Sequence, residues 1–156
     1  MPTPKARKVA DAQQGAIECG EPRLAELHDA LKGGEHLLIL THDNPDPDAL
    51  ASAFALLALA QTLDGLTARI GFGGFVGRAE NRTMVRELDL PVMPAWALNL
   101  DDADLVALVD TQPGTGNNSL PDGCDVAAVV DHHPLREETK QARFWDVRTG
   151  CGSSST

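Results

Sequence analysis

Three short apolar runs, each broken off by an acidic residue or a histidine, constrain this chain more than any other feature. His36–Leu40 (HLLIL) leads into THDNPDPD, Leu105–Val109 (LVALV) into Asp110-Thr111, and Val126–Val130 (VAAVV) into Asp131-His132-His133-Pro134. A strand that alternates apolar and polar residues has one wet face. Strands apolar along their whole length are buried on both faces, as in parallel sheets covered on two sides. Two further runs, Ala68–Phe72 and Phe144–Val147, read as strands, and Val92-Met93-Pro94 as a short edge strand.

The segments between these runs read as helices. Pro22–Leu31 carries Leu24, Leu27 and Leu31 at helical spacing, and Gly33-Gly34 ends it. After THDN, Asp46 or a neighbour can cap a helix, and Pro47 suits its first position. The Ala/Leu run that follows is apolar on nearly every side, so this helix is expected to pack on more than one face. Ala79–Leu88 suits a third helix. Strand and helix in alternation give an α/β fold, a parallel β-sheet with helices on both faces. Residues 1–21 are polar and small and read as a flexible N-terminal arm, leaving 22–156 as one domain.

In open parallel sheets, ligands sit beyond the carboxyl ends of the strands. The three broken runs would bring roughly four carboxylates and three imidazoles to one sheet edge. So many like charges do not stay ionised together without a counter-charge. One divalent ion would help, and two would neutralise the cluster better. Aspartate and histidine without cysteine suit manganese or a similar metal better than a structural zinc site. Two such ions serve phosphoryl chemistry. Each piece alone has a plainer reading: Asp46 as a helix cap, Asp110 as a turn residue, the His-His pair as a solvated loop. Their joint occurrence, each at the end of an apolar run, favours a metal site.

Composition narrows the partners. The formal net charge is −10, from 13 Lys and Arg against 23 Asp and Glu, which repels long nucleic acids. Small phosphorylated molecules at a metal centre are compatible with it. Cys19, Cys124 and Cys151 form no CxxC pair, an odd and sparse set that fits a reducing cytoplasm. The basic N-terminus has no apolar core behind it, so it is no secretory signal. The most apolar run, Ala49 to Ala60, is shorter than the ~18 residues of a membrane span.

HDNPDPDALAS, VDT and DHHP, in this order, resemble the first three motifs of the DHH phosphoesterase superfamily. The resemblance covers about Leu38 to Pro134 and is weaker toward the chain end. That superfamily includes RecJ-like exonucleases, oligoribonucleases (nanoRNases) that also act as pAp phosphatases, cyclic dinucleotide phosphodiesterases, pyrophosphatases and exopolyphosphatases. The resemblance implies two divalent metal ions, most simply Mn²⁺. His42 and Asp46 would hold one, Asp48 and His132 the other, and Asp110 both. Asp131 would orient a histidine ring, and His133 would lie near the substrate phosphate. It implies hydrolysis of phosphoester or phosphoanhydride bonds in small nucleotides or short oligonucleotides.

Some features depart from the pattern or leave readings open. The family often has glycine where this chain has Pro47 and Ala51. GSSST at the chain end resembles the start of a fourth conserved segment. The family's downstream metal-binding aspartate and its DHHA1 substrate domain lie beyond it, so the chain is expected to be a domain truncated before DHHA1. A catalytically incomplete metal- or nucleotide-binding module is the alternative, and an α/β domain whose acids only cap helices is a third. Arg78 and Arg82, in and after a glycine-rich stretch, are candidate substrate contacts or solvated side chains of a flexible turn. The polar loop Gln112–Leu120 borders the substrate or is a surface loop. Gly152–Ser155 offers donors to phosphate or frays.

Overall fold

The computed structural model describes residues 21–155 of the chain. The elements run α1 (Glu21–Leu31), β1 (His36–Leu40), α2 (Pro47–Asp64), β2 (Thr67–Phe72), α3 (Ala79–Glu87), β3 (Val92–Pro94), β4 (Leu105–Val109), β5 (Ala128–Asp131) and β6 (Phe144–Val147). Single 3-10 turns lie at Ala95–Ala97, Leu100–Asp102 and Glu138–Gln141. The six strands form one sheet in the order β3-β2-β1-β4-β5-β6, with every pair parallel. The expected arm over 1–21 lies outside the described residues, except for Glu21, which opens α1.

The apolar runs behave as their composition requires. All of β4 is buried, and Ile39, Leu40, Ala107 and Leu108 have no exposed surface. Burying one such leucine or isoleucine side chain contributes about 1.5–3 kcal/mol, so the central strands dominate the stability. Leu37, Ile39, Ile70, Leu105, Ala107 and Val109 face α1 and α2. Leu38, Leu40, Val106, Leu108 and Val129 face the opposite way. There the cover comes from Leu98, Leu100 and Ala103, around the first two 3-10 turns, and from Leu120, Cys124 and Ala142.

α2 starts where the sequence places it. Asp46 has extended backbone, and its Oδ1 accepts the N–H groups of Asp48 and Ala49 at 2.9 and 3.0 Å. Gly65, at φ 64°, closes the other end in the left-handed conformation that glycine adopts without a Cβ penalty. Ala49, Leu50, Ala53, Leu56, Leu57 and Ala60 are buried, whereas Phe54, Ala55 and Ala58 form an exposed apolar stripe. No helix among the described residues is long and apolar enough to cross a membrane.

The strand order locates the site. From β1 the chain moves to β2 and β3 on one side. It then crosses back to β4 and continues to β5 and β6 on the other. β1 and β4 are therefore neighbours whose following segments leave in opposite directions, which opens a crevice beyond their carboxyl ends. β5 begins two residues and ends one residue later than the expected run. Val126 and Ala127 are buried but precede the strand, and Asp131 forms its last pair, opposite Val147.

Candidate metal centre

Side chains from three separate stretches meet at that crevice. His42, Asp46 and Asp48 come from the β1–α2 connection, Asp110 from the end of β4, and Asp131, His132 and His133 from the end of β5. Asp110 is the centre. Its Oδ2 lies 3.6 Å from His42 Nε2, and its Oδ1 lies 3.3 Å from His132 Nε2 and 3.7 Å from His133 Nδ1. The two carboxylate oxygens thus face imidazoles from different motifs. Asp46 Oδ1 stands 3.9 Å from His42 Nε2, and Asp48 Oδ2 stands 3.7 Å from His132 Nε2.

Two overlapping groups of ligand atoms result, His42–Asp46–Asp110 and Asp110–Asp131–His132–His133, each within 4.8 Å of one another. They share Asp110. The donor set of imidazole nitrogens and carboxylate oxygens, without thiolate, fits a divalent metal of the manganese type. Asp46 shows that cap and ligand are compatible readings: one oxygen receives the helix N–H groups while the carboxylate still faces His42.

The backbone at Asp110 has φ 56°, in the left-handed region. Such residues cost about 1–3 kcal/mol unless the surroundings hold them, and they cluster at functional sites. Here the Asp110 N–H donates to the carbonyl of Val130 at 2.9 Å, tying the turn to β5.

The chain orients the imidazoles. His42 Nδ1 lies 2.8 Å from the carbonyl oxygen of Asp43, which leaves Nε2 for Asp110. The pull of the nearby Asp110 carboxylate outweighs the opposing effect of burial and raises the pKa of His42 from 6.5 to about 9. Asp131 is almost fully buried and receives four donors. Its Oδ1 takes the N–H groups of His132 and His133 at 2.7 and 3.3 Å and lies 2.8 Å from His133 Nδ1, while Oδ2 takes Gln112 Nε2 at 2.6 Å. The hydrogen bond that the His133 ring donates to Asp131 outweighs burial and raises the pKa of His133. Although close enough to the cluster, Asp131 is spent on holding the loop and the His133 ring.

The sequence left open what two segments near the site do, Gly152–Ser155 and the loop that opens with Gln112. Asp48 Oδ2 accepts the N–H of Ser154 at 2.7 Å and Oδ1 that of Ser155 at 2.8 Å, and Ser154 Oγ donates to Asp110 Oδ1 at 3.0 Å. The serine segment therefore clamps two of the acids instead of fraying or waiting for phosphate. Burial pushes the Asp48 carboxyl up, but the donors of Ser154 and Ser155 and the His132 imidazole prevail and lower it. Gln112 is buried and holds Asp131, the Arg136 N–H and the Thr139 hydroxyl together.

The glycine-rich stretch has a packing role. A Cβ at Gly73 would collide with the Asp43 carboxylate, and one at Gly74, where φ is 65°, with the Asn44 amide. Asn44 itself has φ 57°, donates its N–H to Gly73 O at 3.0 Å and accepts Phe75 N–H at 3.1 Å. The stretch thereby lies directly on the first motif. Arg78 and Arg82 do not line the cavity over the acidic cluster, and Arg82 folds back onto the Gly77 carbonyl.

Comparison with known proteins agrees with this geometry. The model of the DHH family N-terminal domain matches residues 36–156. An uncharacterized protein of Methanocaldococcus jannaschii is 36% identical over 121 residues, covering 77% of this chain and 24% of that protein. A probable manganese-dependent inorganic pyrophosphatase of Deinococcus radiodurans is 33% identical over 105 residues, covering 66% of this chain and 32% of that protein. The chain thus spans about a quarter to a third of the relatives it matches. With a crevice at the β1/β4 switch point, three motifs converging there and a family model matching most of its length, the chain belongs to the DHH family, a family of metal-dependent phosphoesterases, and carries its N-terminal domain.

Proposed function

We propose that this domain holds two divalent metal ions, Mn²⁺ by preference, and hydrolyses phosphoester or phosphoanhydride bonds of small phosphorylated substrates, short nucleotides among them. The observation that carries the reading is the placement of Asp110, whose two oxygens face His42 on one side and His132 on the other. His42 and Asp46 would hold the first ion, Asp48 and His132 the second, and Asp110 both. When bound, the ions supply Lewis acidity that lowers the pKa of water and offsets phosphoryl charge.

The remaining work falls to the chain. Asp131 fixes the His133 ring through Nδ1, which leaves Nε2 as a donor for a phosphoryl oxygen. Gln112 in turn fixes Asp131. The N-terminus of α2 turns its positive dipole end toward the same crevice, which favours an anionic substrate. The alternative reading is a metal- or nucleotide-binding module without turnover of its own.

The test starts with metal. Calorimetric titration with Mn²⁺ is expected to show two sites in the chain and none in Asp110→Ala. Retention of both sites by that variant would refute Asp110 as the shared ligand. Assay of the Mn²⁺-loaded chain on pyrophosphate, dinucleotides and pAp then separates the two readings. Turnover rejects the passive module, and binding without turnover rejects independent catalysis.

A further inference from the structure

α3 has one buried residue, and it is an asparagine. Asn81, in the first turn, is 4% exposed, whereas Met84 and Val85 of the same helix are only half-buried. Asparagine is a poor helix former, and a buried carboxamide costs free energy unless its groups are hydrogen-bonded. A leucine would fill the position without that cost, so the packing of α3 does not account for Asn81. Its hydrogen bond does. Asn81 Nδ2 donates to the carbonyl of Pro45 at 3.2 Å, across 36 positions of sequence.

Pro45 is buried and sits between Asn44, with φ 57°, and the helix cap Asp46. Its carbonyl stands one residue outside the α2 ladder, whose first acceptor is the Asp46 carbonyl, bonded by the Leu50 N–H at 3.0 Å. Asn81 supplies the donor that the helix does not. The Pro45 carbonyl and the Asp46 nitrogen belong to one rigid peptide plane. Holding that oxygen therefore fixes the plane from which the Asp46 side chain departs, and with it the carboxylate that caps α2 and stands 3.9 Å from His42 Nε2. Other groups of the cluster are held from elsewhere. His42 has the Asp43 carbonyl at Nδ1, the Asp43 N–H is bonded to Asn117 O at 2.6 Å, and Asp48 has the N–H groups of Ser154 and Ser155.

We propose that Asn81 is a positioning residue for the first metal ion: through the Pro45 carbonyl it sets the direction of the Asp46 carboxylate. α3 supplies no ligand, yet by this contact it raises the affinity of the His42–Asp46 site and leaves that of the Asp48–His132 site alone. Removing a group that orients a metal ligand costs about 10–100-fold in metal affinity. The inference rests on the two-metal reading of the cluster.

Calorimetric titration of the full chain with Mn²⁺ reads both sites. Asn81→Leu, which keeps the volume and removes the donor, is expected to weaken the first site about tenfold and to leave the second unchanged. Asn81→Asp keeps the shape and also lacks the N–H, and should act in the same direction. Either variant decides the matter if the other misfolds, and thermal unfolding checks each. A double-mutant cycle shows whether the effect passes through Asp46. Asn81→Leu should have no further effect on Mn²⁺ affinity in an Asp46→Ala background and its full effect in an Asp48→Ala background. An asparagine that merely stabilises α3 would lower the melting temperature and leave the ratio of the two affinities as in the parent. The proposal is overturned if that ratio is unchanged, if both sites weaken equally, or if the loss persists in Asp46→Ala. If the parent takes up no Mn²⁺, the two-metal reading itself fails and the inference with it, whereas two sites in the parent with an unchanged ratio in the variants refute the positioning role alone.

Discussion

Metal uptake at this site should depend steeply on pH, through His42. In the metal-free chain its pKa stands at about 9 against 6.5, because the Asp110 carboxylate 3.6 Å from Nε2 favours the charged ring more than burial disfavours it. Coordination through Nε2 requires the neutral ring, so a metal must displace that proton. At pH 7 about one molecule in a hundred has His42 neutral, and at pH 8 about one in ten. The apparent Mn²⁺ affinity of the first site is therefore expected to rise about tenfold between pH 7 and pH 8. The metal-free fold responds in the opposite sense. The folded pKa lies above the unfolded one, so the ion pair stabilises the fold fully below pH 6.5, by about 3 kcal/mol. That contribution is lost as the pH rises through 9. The melting temperature of the metal-free chain should fall across this window, while the increment conferred by Mn²⁺ grows. Calorimetry at pH 7 and 8, in two buffers of different ionisation enthalpy, counts the protons released. About one proton per first metal is expected, and none from this source in His42→Gln. Equal affinities at the two pH values with no proton released would refute the account.

Two other perturbations probe the residues that hold the acids. Ser154→Ala removes the hydroxyl donor to Asp110 but keeps both N–H donors to Asp48, and should lower metal-free stability by about 1 kcal/mol in urea unfolding. A chain ended after Gly152 loses all three donors and should lose two to three times as much; equal stability of the two would show that the clamp on Asp48 contributes nothing. Gln112→Leu leaves Asp131 Oδ2 and the Arg136 N–H without their partner and should cost about 1–3 kcal/mol. Gln112→Glu places a second carboxylate where the amide met Asp131 at 2.6 Å and should cost more, a ranking that thermal unfolding at pH 7 checks directly.

Much of the fold was legible because it depends on local composition. The apolar runs of β1 and β4 could only be buried strands, and Asp46-Pro47 could hardly be anything but a helix start. The convergence of His42, Asp110 and His132 was legible for a related reason: parallel strands align their carboxyl ends, and each run ended on a ligand-type residue. What stayed hidden depends on contacts between distant segments. Nothing in QPGTGNNSL says that its first residue is buried and braces Asp131, because a glutamine beside proline and glycine reads as surface loop. The bond from Ser154 to Asp48 spans 106 positions and involves a backbone N–H, which carries no residue signature at all. The residues that cover the second face of the sheet stayed hidden as well, since single 3-10 turns leave no period to detect. The exposed stripe of α2 went unread because alanine and phenylalanine look the same to a hydrophobic pattern whether or not anything covers them.

The way each acid is compensated says which of them depends most on a metal. Asp46 has the N–H groups of α2, Asp48 those of Ser154 and Ser155, and Asp131 four donors from its own loop and Gln112. Asp110 is buried, sits in a left-handed backbone conformation, and has for company one serine hydroxyl and the three imidazoles. Imidazolium compensates it only while protonated, and metal coordination removes the proton from the ring that coordinates. On the two-metal reading the protein would exchange one positive charge at Asp110 for another, proton for metal, while backbone N–H groups keep Asp46 and Asp48 fixed. A site built this way is expected to change little in shape between its metal-free and loaded forms, because the hydrogen bonds that hold Asp46 and Asp48 come from backbone N–H groups that neither gain nor lose a proton. His42, raised to about 9 beside Asp110, is the titrating group that would itself coordinate, and that is why its titration, rather than any movement of the backbone, should govern when the site fills.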